Sequence, residues 1–219
     1  MSDLIAATAT GSIAAAIGIV RVSGDGCFAA CDRVFRPRNG VPFAQQPSHK
    51  MVFGEMLDDS GAVIDQGLAV RFGGGHSYTG EDSAEFHCHG SPVVLGELLS
   101  ALFAAGARQA KAGEFTRRAF LNGKMDPTQA EAVVDLIDAE TISAAKNAVG
   151  QLSGAMGKKI DGIYNQLVDL LAHFHAVLDY PDEDIEPFEA EEIAQSVSKA
   201  AKDLAALRAT YHRGKQLTQ

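Results

Sequence analysis

Residues 111–138 read KAGEFTRRAFLNGKMDPTQAEAVVDLID and divide the chain into two parts of different character. Asp126 is placed to be a helix N-cap, and Pro127 suits the first helical position because its missing N–H is not needed there. Gln129 completes a capping box with Asp126, so a long helix is predicted to begin here. Strand patterns dominate before this segment and helical spacing dominates after it, so it joins a strand-rich part to a helical part.

Three basic residues, Arg117, Arg118 and Lys124, stand just before the predicted N-cap. Asn122 and Gly123, which lie among them, are typical of a turn. Because Lys and Arg side chains are mostly exposed in folded proteins, composition alone predicts a solvated basic surface at this joint.

The composition is that of a folded globular protein with one large or two modest domains: 219 residues, 46% hydrophobic and 21% charged. The formal net charge of −9 is unevenly distributed. Residues 1–124 carry 11 Lys+Arg against 12 Asp+Glu, whereas residues 125–219 carry 8 against 16. The acidic helical half is therefore not expected to bind a phosphate backbone by itself.

The cysteines indicate a reducing compartment. Cys27, Cys31 and Cys88 are odd in number and contain no C-x-x-C pair, which argues against a disulfide framework. The longest uninterrupted apolar run, residues 13–20, is too short to span a bilayer. These features predict a cytoplasmic protein that does not bind a membrane.

The first 110 residues read as an α+β domain. Strands are predicted at 4–8, 15–22, 50–57, 62–72 and 83–89, and helices at 27–35 and 91–105. Asp58-Asp-Ser-Gly61 is typical of a hairpin turn between the third and fourth strands. Arg21 interrupts the apolar second strand, so it either points out of the sheet or is held for a ligand.

The glycine-rich segment 73–82, GGGHSYTGED, is predicted to be a loop that permits close approach of a ligand. It lacks the G-x-G-x-x-G spacing, and the phosphate-binding pattern G-x-x-x-x-G-K-[ST] occurs nowhere in the chain. The sequence therefore predicts no nucleotide site.

Strand alternation places Glu85, His87 and His89 on one face of the predicted strand 83–89, and Phe86 and Cys88 on the other. A His-x-His pair with a nearby carboxylate can bind a metal ion, which would suit a metal-dependent hydrolase. Ordinary hydrogen bonds are the alternative, and they are the more common role of two histidines without a further His or Cys at ligand spacing.

From residue 128 onward the apolar residues follow helical spacing, which predicts three helices of about 20 residues each, packed as a bundle segment. Residues 180–187, YPDEDIEP, form an acidic loop between the second and third helices. This loop could bind a cation, but a solvated turn is the interpretation that a run of surface charges favours.

Five segments, in this order, carry a resemblance to a known family. They are GIVRVSG at 18–24, SYTGED at 77–82, CHG at 88–90, FLNGKMDPTQAEAVVDLI at 120–137 and LDYPDEDI at 178–185. Together they closely resemble the signature segments of the MnmE (TrmE) family of tRNA-modification GTPases. The resemblance covers essentially the whole chain, which is expected to be the front half of such a protein.

The resemblance implies a fold and a ligand. Residues 1–124 are expected to form an α+β folate-binding domain, similar to that of the glycine-cleavage aminomethyltransferase, that also dimerises. Residues 125–219 are expected to form the first part of an all-α helical domain. The family's folate contacts match Arg21, Glu85 and Lys124, so these residues are expected to bind 5-formyltetrahydrofolate, and no catalytic or metal-binding residue is assigned.

The resemblance also implies activities beyond this chain. Family proteins hydrolyse GTP with potassium and magnesium in a G domain that this chain lacks, so the chain alone is expected to have no GTPase activity. They act with a flavin-dependent partner, MnmG, to modify C5 of the wobble uridine in tRNA. The remaining alternative to a folate-binding role is a non-catalytic protein that only dimerises as a scaffold.

One stretch departs from the family pattern. Residues 9–17, ATGSIAAAI, stand where the family usually has a Pro/Gly-rich turn.

Overall fold

The computed structural model describes residues 2–11, 13–180 and 190–217, with side chains described through residue 209. It contains two compact units, Met1–Met125 and Asp126–Gln219. Most of the acidic loop predicted at 180–187 lies outside the described residues.

The first unit is built on one seven-stranded sheet in the order β3-β4-β5-β6-β2-β1-β7. Its neighbouring strands are antiparallel except for β1 and β7, which pair in parallel. The strands are β1 Ile5–Thr8, β2 Ala15–Ser23, β3 Phe35–Pro37, β4 Val52–Leu57, β5 Val63–Phe72, β6 Ser83–Gly90 and β7 Arg108–Gln109. The mixed sheet with helices confirms the predicted α+β class.

Three helices accompany the sheet: α1 Cys27–Val34, α2 Pro92–Ala104 and α3 Glu114–Leu121. α1 turns Cys27, Ala30, Cys31 and Val34 inward, at the spacing of one helical face. At the centre of the core, Phe35, Phe43 and Phe86 lie with ring centroids 5.7–6.0 Å apart.

The alternation of the strands gives the sheet two different faces. One cross-strand row, Val20–Phe86–Ala69, is buried in the core beneath α1 and α2. The next row, Ile19–His87–Leu68–Phe53, points to the other side, where Leu68 and Phe53 are exposed. We call this second side the helix-free face, because α1 and α2 pack on the core side; α3 approaches it at Arg21, through Phe115. The predicted separation of His87 and Phe86 onto opposite faces is confirmed.

The predicted hairpin turn is also confirmed. Asp58 Oδ1 accepts hydrogen bonds from the backbone N–H of Ser60 and of Ala62, each 2.9 Å long. Gly61 has φ +86°, which favours glycine over any other residue. The local turn chemistry of residues 58–61 therefore reverses the chain between β4 and β5.

The prediction that the basic residues before the joint are solvated is wrong for Arg118, which is only 8% exposed. Arg118 lies on α3 and donates hydrogen bonds to Asp3 Oδ1 (2.6 Å), Glu81 Oε2 (3.0 Å) and Glu114 Oε1 (3.2 Å). It also donates to the Asp3 carbonyl, at 2.8 Å. Three carboxylates compensate for its burial, a local arrangement that average exposure statistics do not predict.

The second unit is helical throughout its described residues, and its first predicted helix is divided in two. The helices are α4 Pro127–Ile137, α5 Ile142–Leu152, α6 Ala155–Asp179 and α7 Ala190–Leu217. The expectation of one helix of about 20 residues from residue 128 is therefore wrong. Thr141 explains the division, because it is an extended N-cap whose hydroxyl accepts from Ala144 N at 3.1 Å and so starts a new helix.

The predicted capping box at the start of α4 is confirmed, and it also connects α4 to its neighbours. Asp126 Oδ1 accepts from Gln129 N, and Gln129 Oε1 accepts from Asp126 N, both at 2.8 Å. Gln129 Nε2 also donates to the carbonyl of Leu152 at the end of α5, at 2.9 Å. The other carboxylate oxygen of Asp126 lies against Gly157, near the start of α6.

Among the described residues, no helix combines the length and the apolar character required to cross a membrane.

Two glycines of α6 provide a test of this connection between α4 and α6. A Cβ at Gly157 would overlap Asp126 Oδ2, whereas a Cβ at Gly162 would meet open space. We expect Gly162→Ala to stabilise the protein by up to about 1 kcal/mol through helix propensity. Gly157→Ala should destabilise it, because a disturbed N-cap costs about 1 kcal/mol. Urea unfolding followed by far-UV circular dichroism measures both; equal stabilisation by the two variants would contradict the proposed contact.

Acid unfolding tests the charge cluster around Arg118. Hydrogen bonds from Arg108 lower the pKa of Glu114 from 4.5 to about 2, although burial opposes the change. As the pH falls from about 4.5 to about 2, the unfolded chain takes up the Glu114 proton before the folded protein does, so stability is lost in this window. We expect Glu114→Gln to make the decline in unfolding free energy less steep there. Glu97→Gln, at an exposed position on α2, should leave the slope unchanged.

Candidate functional site

Arg21 and Glu85 form an ion pair on the helix-free face. They are direct cross-strand partners on β2 and β6. Arg21 Nε donates to Glu85 Oε1 at 2.9 Å, and a second guanidinium nitrogen lies 2.8 Å from the same oxygen. Their side chains remain 27% and 18% exposed. The structure therefore brings together two of the three residues for which the resemblance implied a folate contact.

Two aromatic rings hold the Arg21 guanidinium in place. Its central carbon lies 5.2 Å from the ring centroid of Tyr78 and 5.6 Å from that of Phe115. The Tyr78 hydroxyl is hydrogen-bonded to Thr116 Oγ1 at 2.9 Å, which links the glycine-rich loop to α3. Cation–π contacts of this kind contribute about 0.5–2 kcal/mol. Arg21 is therefore fixed by its surroundings, and in turn it orients the Glu85 carboxylate.

The second oxygen of Glu85 is only weakly engaged. Glu85 Oε2 lies 3.4 Å from His87 Nε2, at the long limit for a hydrogen bond. A carboxylate offers about four lone-pair sites, and the bonds to Arg21 use only those of Oε1. Glu85 therefore retains acceptor capacity on the exposed side of the sheet.

Lys124, the third residue implied by the resemblance, lies against the glycine-rich loop 73–82. Its Nζ donates to the carbonyl of Gly75 at 3.0 Å, and the neighbouring Asn122 donates to the carbonyl of Thr79 at 2.7 Å. Gly80 has φ +79°, and a Cβ there would lie 3.2 Å from Lys124 Cγ. Lys124 thus contacts the loop that carries Tyr78, and the loop connects it to the Arg21–Glu85 pair.

The same loop is anchored from beneath by buried polar side chains. Ser23 Oγ is hydrogen-bonded to Thr79 Oγ1 at 2.7 Å and donates to Glu81 Oε2 at 2.8 Å. Glu81 is in turn bound by Arg118. Tyr78 is therefore positioned by a chain of hydrogen bonds that begins at the buried arginine of α3.

Sequence reasoning missed Tyr78 and Phe115. The segment SYTGED was identified as a family signature, but no role was assigned to its aromatic residue. An aromatic side chain between a glycine-rich stretch and an acidic residue was the available signal. No signal in the sequence pointed to Phe115, because its contact with Arg21 depends on where α3 packs.

The two histidines considered as metal ligands make separate hydrogen bonds. His87 approaches Glu85, whereas His89 Nδ1 is bonded to Asp65 Oδ1 at 2.8 Å. Nowhere in the part of the chain that the structure describes do three His, Cys, Asp or Glu side chains converge to hold a metal ion. The hypothesis of a metal-dependent hydrolase using Glu85, His87 and His89 therefore lacks its ligand set among these residues.

The cysteines are poorly suited to nucleophilic chemistry. All three are buried. Burial, together with the charge of Asp65, raises the pKa of Cys88 to about 11, and burial also raises the pKa of Cys31 well above its usual range. Because the thiolate is the reactive form, Cys31 and Cys88 act as small apolar core residues.

Comparison with known families gives two matches that together cover nearly the whole chain. Residues 4–124 match the family described as "GTP-binding protein TrmE N-terminus". Residues 128–219 match the "MnmE helical domain". The boundary between the two matches falls beside the boundary between the two compact units, at Met125 and Asp126.

Curated relatives agree with these matches, and each has the name "tRNA modification GTPase MnmE". A protein from Thermus thermophilus is 46% identical over 198 residues, which are 90% of this chain and 45% of the relative. The protein from Symbiobacterium thermophilum is 45% identical over 192 residues, which are 88% of this chain and 42% of the relative. The protein from Clostridioides difficile is 36% identical over 219 residues, which are 100% of this chain and 48% of the relative. This chain thus spans less than half the length of these relatives. By both kinds of comparison, the chain belongs to the TrmE/MnmE family.

Proposed function

We propose that this chain is the folate-binding and dimerising front half of a GTPase that modifies tRNA. The observation that carries the proposal is the Arg21–Glu85 pair on the helix-free face. The pair lies outside the hydrophobic core, is held rigidly by Tyr78 and Phe115, and keeps unused acceptor capacity. Oriented charges at a partly exposed position are typical of ligand recognition.

The side chains around the pair fit a reduced folate such as 5-formyltetrahydrofolate. A pterin ring presents a ring N–H beside an exocyclic amine, and a carboxylate such as Glu85 can accept from both. The glutamate tail of the ligand is anionic and requires a cation. Lys124 supplies one, because its ammonium group has three donors and, among the described residues, is seen to bond only the Gly75 carbonyl. Arg21 serves by orienting Glu85.

In this proposal, the residues of this chain bind and orient the ligand and carry out none of the bond-making steps. The bound tetrahydrofolate derivative supplies or carries a one-carbon unit. GTP, potassium and magnesium act in a G domain outside this chain. A flavoprotein of the MnmG type is the partner, and C5 of the wobble uridine in tRNA is the position modified, in the cytoplasm. The name that these relatives share, "tRNA modification GTPase MnmE", supports this assignment.

The helix-free face also supports the proposed homodimer. Phe53 and Leu68 are 41% and 38% exposed, and they are direct cross-strand partners. Large apolar side chains side by side on a sheet commonly mark an interaction surface. A second copy related by twofold symmetry is the commonest way to bury such a surface.

The role of Glu85 can be tested by measuring the affinity for 5-formyltetrahydrofolate by calorimetry. We expect Glu85→Ala to weaken binding by about 1.5 kcal/mol or more, roughly tenfold, because a charged hydrogen-bond acceptor is lost. Glu55→Ala is the matched control, since Glu55 also pairs with an arginine of the adjacent strand, Arg36, at 3.0 Å. Wild-type affinity in Glu85→Ala would remove Glu85 from the site, and absence of binding by the wild-type chain would refute the folate proposal.

The dimer can be tested with two charge substitutions. Leu68→Lys places an ammonium group in the centre of the proposed interface, so we expect the mass in solution to fall from that of a dimer to that of a monomer. Val93→Lys is the control, because Val93 is 72% exposed on α2, away from the sheet. Sedimentation equilibrium measures both masses. A Leu68→Lys protein that remains dimeric would place the interface elsewhere.

A further inference from the structure

His87 lies beside Glu85 on the helix-free face, and its ring is only loosely held. The two residues are two positions apart on β6, so strand alternation places both side chains on the same side of the sheet. His87 Nε2 is 3.4 Å from Glu85 Oε2, and among the described residues this is the only hydrogen bond of the His87 side chain. A bond of this length is weak. The imidazole can therefore exchange it for a stronger bond to a ligand.

The contact with Glu85 determines which ring nitrogen of His87 carries a proton. Glu85 is ion-paired with Arg21 at 2.8 Å, and an ionised carboxylate can only accept hydrogen bonds. Nε2 must then be the donor, in the neutral ring as well as in the protonated one. The side chains thus place an N–H donor on Nε2 next to an acceptor, Glu85 Oε2.

The Glu85 carboxylate has a donor on each side, and the two donors differ in how firmly they are engaged. Arg21 directs two guanidinium nitrogens to Oε1, at 2.9 and 2.8 Å, and is held there by the rings of Tyr78 and Phe115. His87, at Oε2, makes one long bond, and its side chain is 22% exposed. The donor that is available to a ligand is therefore the one on His87.

The edge of a pterin ring that suits a carboxylate continues with a carbonyl group. The exocyclic amine, the ring N–H and the C4 carbonyl follow one another along this edge, as donor, donor and acceptor. When a carboxylate accepts from the two N–H groups, the carbonyl oxygen loses water and requires a donor of its own. Groups that bind neighbouring atoms of a flat ring lie side by side, at about 3.5 Å, the usual distance of non-bonded contact. The separation of 3.4 Å between Glu85 Oε2 and His87 Nε2 meets this requirement.

We propose that His87 Nε2–H donates a hydrogen bond to the C4 carbonyl of the bound folate, and that His87 thereby selects 4-oxo pterins over their 4-amino analogues. On binding, the ligand oxygen replaces Glu85 Oε2 as the acceptor of this donor, and Oε2 accepts a ligand N–H instead. No covalent bond forms or breaks. This inference rests on the proposed folate-binding function and adds to it a residue that determines specificity.

The test measures two ligands by calorimetry with the intact 219-residue chain: 5-formyltetrahydrofolate and its 4-amino counterpart, which carries an amino group in place of the C4 oxygen. We expect His87→Ala to weaken binding of the 4-oxo ligand about tenfold, because a desolvated carbonyl loses its donor. Affinity for the 4-amino ligand should not fall, because that ligand has no carbonyl to lose a partner.

Two further variants separate loss of the donor from a general disturbance of the strand. His87→Gln keeps an N–H donor at this position, so its affinity for the 4-oxo ligand should stay within about threefold of wild type. His89→Ala is the matched control on the same face of β6, where the His89 side chain is 75% exposed and bonded to Asp65. It should bind both ligands with wild-type affinity.

The outcomes also separate this inference from the proposed function. If His87→Ala weakens both ligands equally, His87 acts only by orienting Glu85, and the inference is overturned while the folate proposal stands. If neither affinity changes, the carbonyl contact falls to Arg21 or to no residue, and the inference is again overturned. Nitrogen-15 NMR of the complex should find the proton of a neutral His87 ring on Nε2, and a bare Nε2 would contradict the proposed bond. If wild-type protein does not bind 5-formyltetrahydrofolate, the folate proposal fails and this inference fails with it.

Discussion

The buried guanidinium of Arg118 is the interaction on which the first unit most depends. It donates to Asp3, just before β1, to Glu81 at the end of the glycine-rich loop, and to Glu114 of its own helix. Removing one partner from a buried charge network costs several kcal/mol, whereas an apolar replacement of the whole network can be neutral. The network is therefore expected to contribute little net stability. Its main effect is to select one arrangement of the chain, in which Asp3, Glu81 and α3 meet at the Arg118 guanidinium.

That arrangement positions the candidate site. Glu81 fixes the loop at the position where Ser23 and Thr79 are hydrogen-bonded, and Tyr78 is the next residue toward the glycines. α3 is held by the same arginine and presents Phe115 to the Arg21 guanidinium. The rings that clamp Arg21 are thus placed by a cluster that does not itself touch Glu85. A folate site on this face would be preorganised by its supporting contacts rather than by the ligand.

The features predictable from the sequence are those set by neighbouring residues. The capping box of Asp126, the hairpin turn at Asp58 and the division of β6 into two faces depend on short sequence spacings, and all three are confirmed. The burial of Arg118 depends on Asp3 and Glu81, which lie 115 and 37 residues away, so an average over all arginines predicted the wrong environment. The break before α5 was overlooked for a different reason, because apolar spacing continues across it while the N-cap chemistry of Thr141 starts a new helix.

The helix-free face discriminates between a ligand site and a plain dimerisation scaffold. Its apolar row, containing Leu68 and Phe53, would suit either role. The adjoining row, Arg21–Glu85–Val70, would not, because the centres of protein interfaces are depleted in charged residues and burying an ion pair there incurs desolvation without a matching gain. In a plain dimer interface, apolar residues at positions 21 and 85 would be more stabilising than the Arg21–Glu85 ion pair. An ion pair clamped by two aromatic rings beside an apolar row is therefore the arrangement expected if, as proposed, this face recognises a polar ligand as well as a second protein copy.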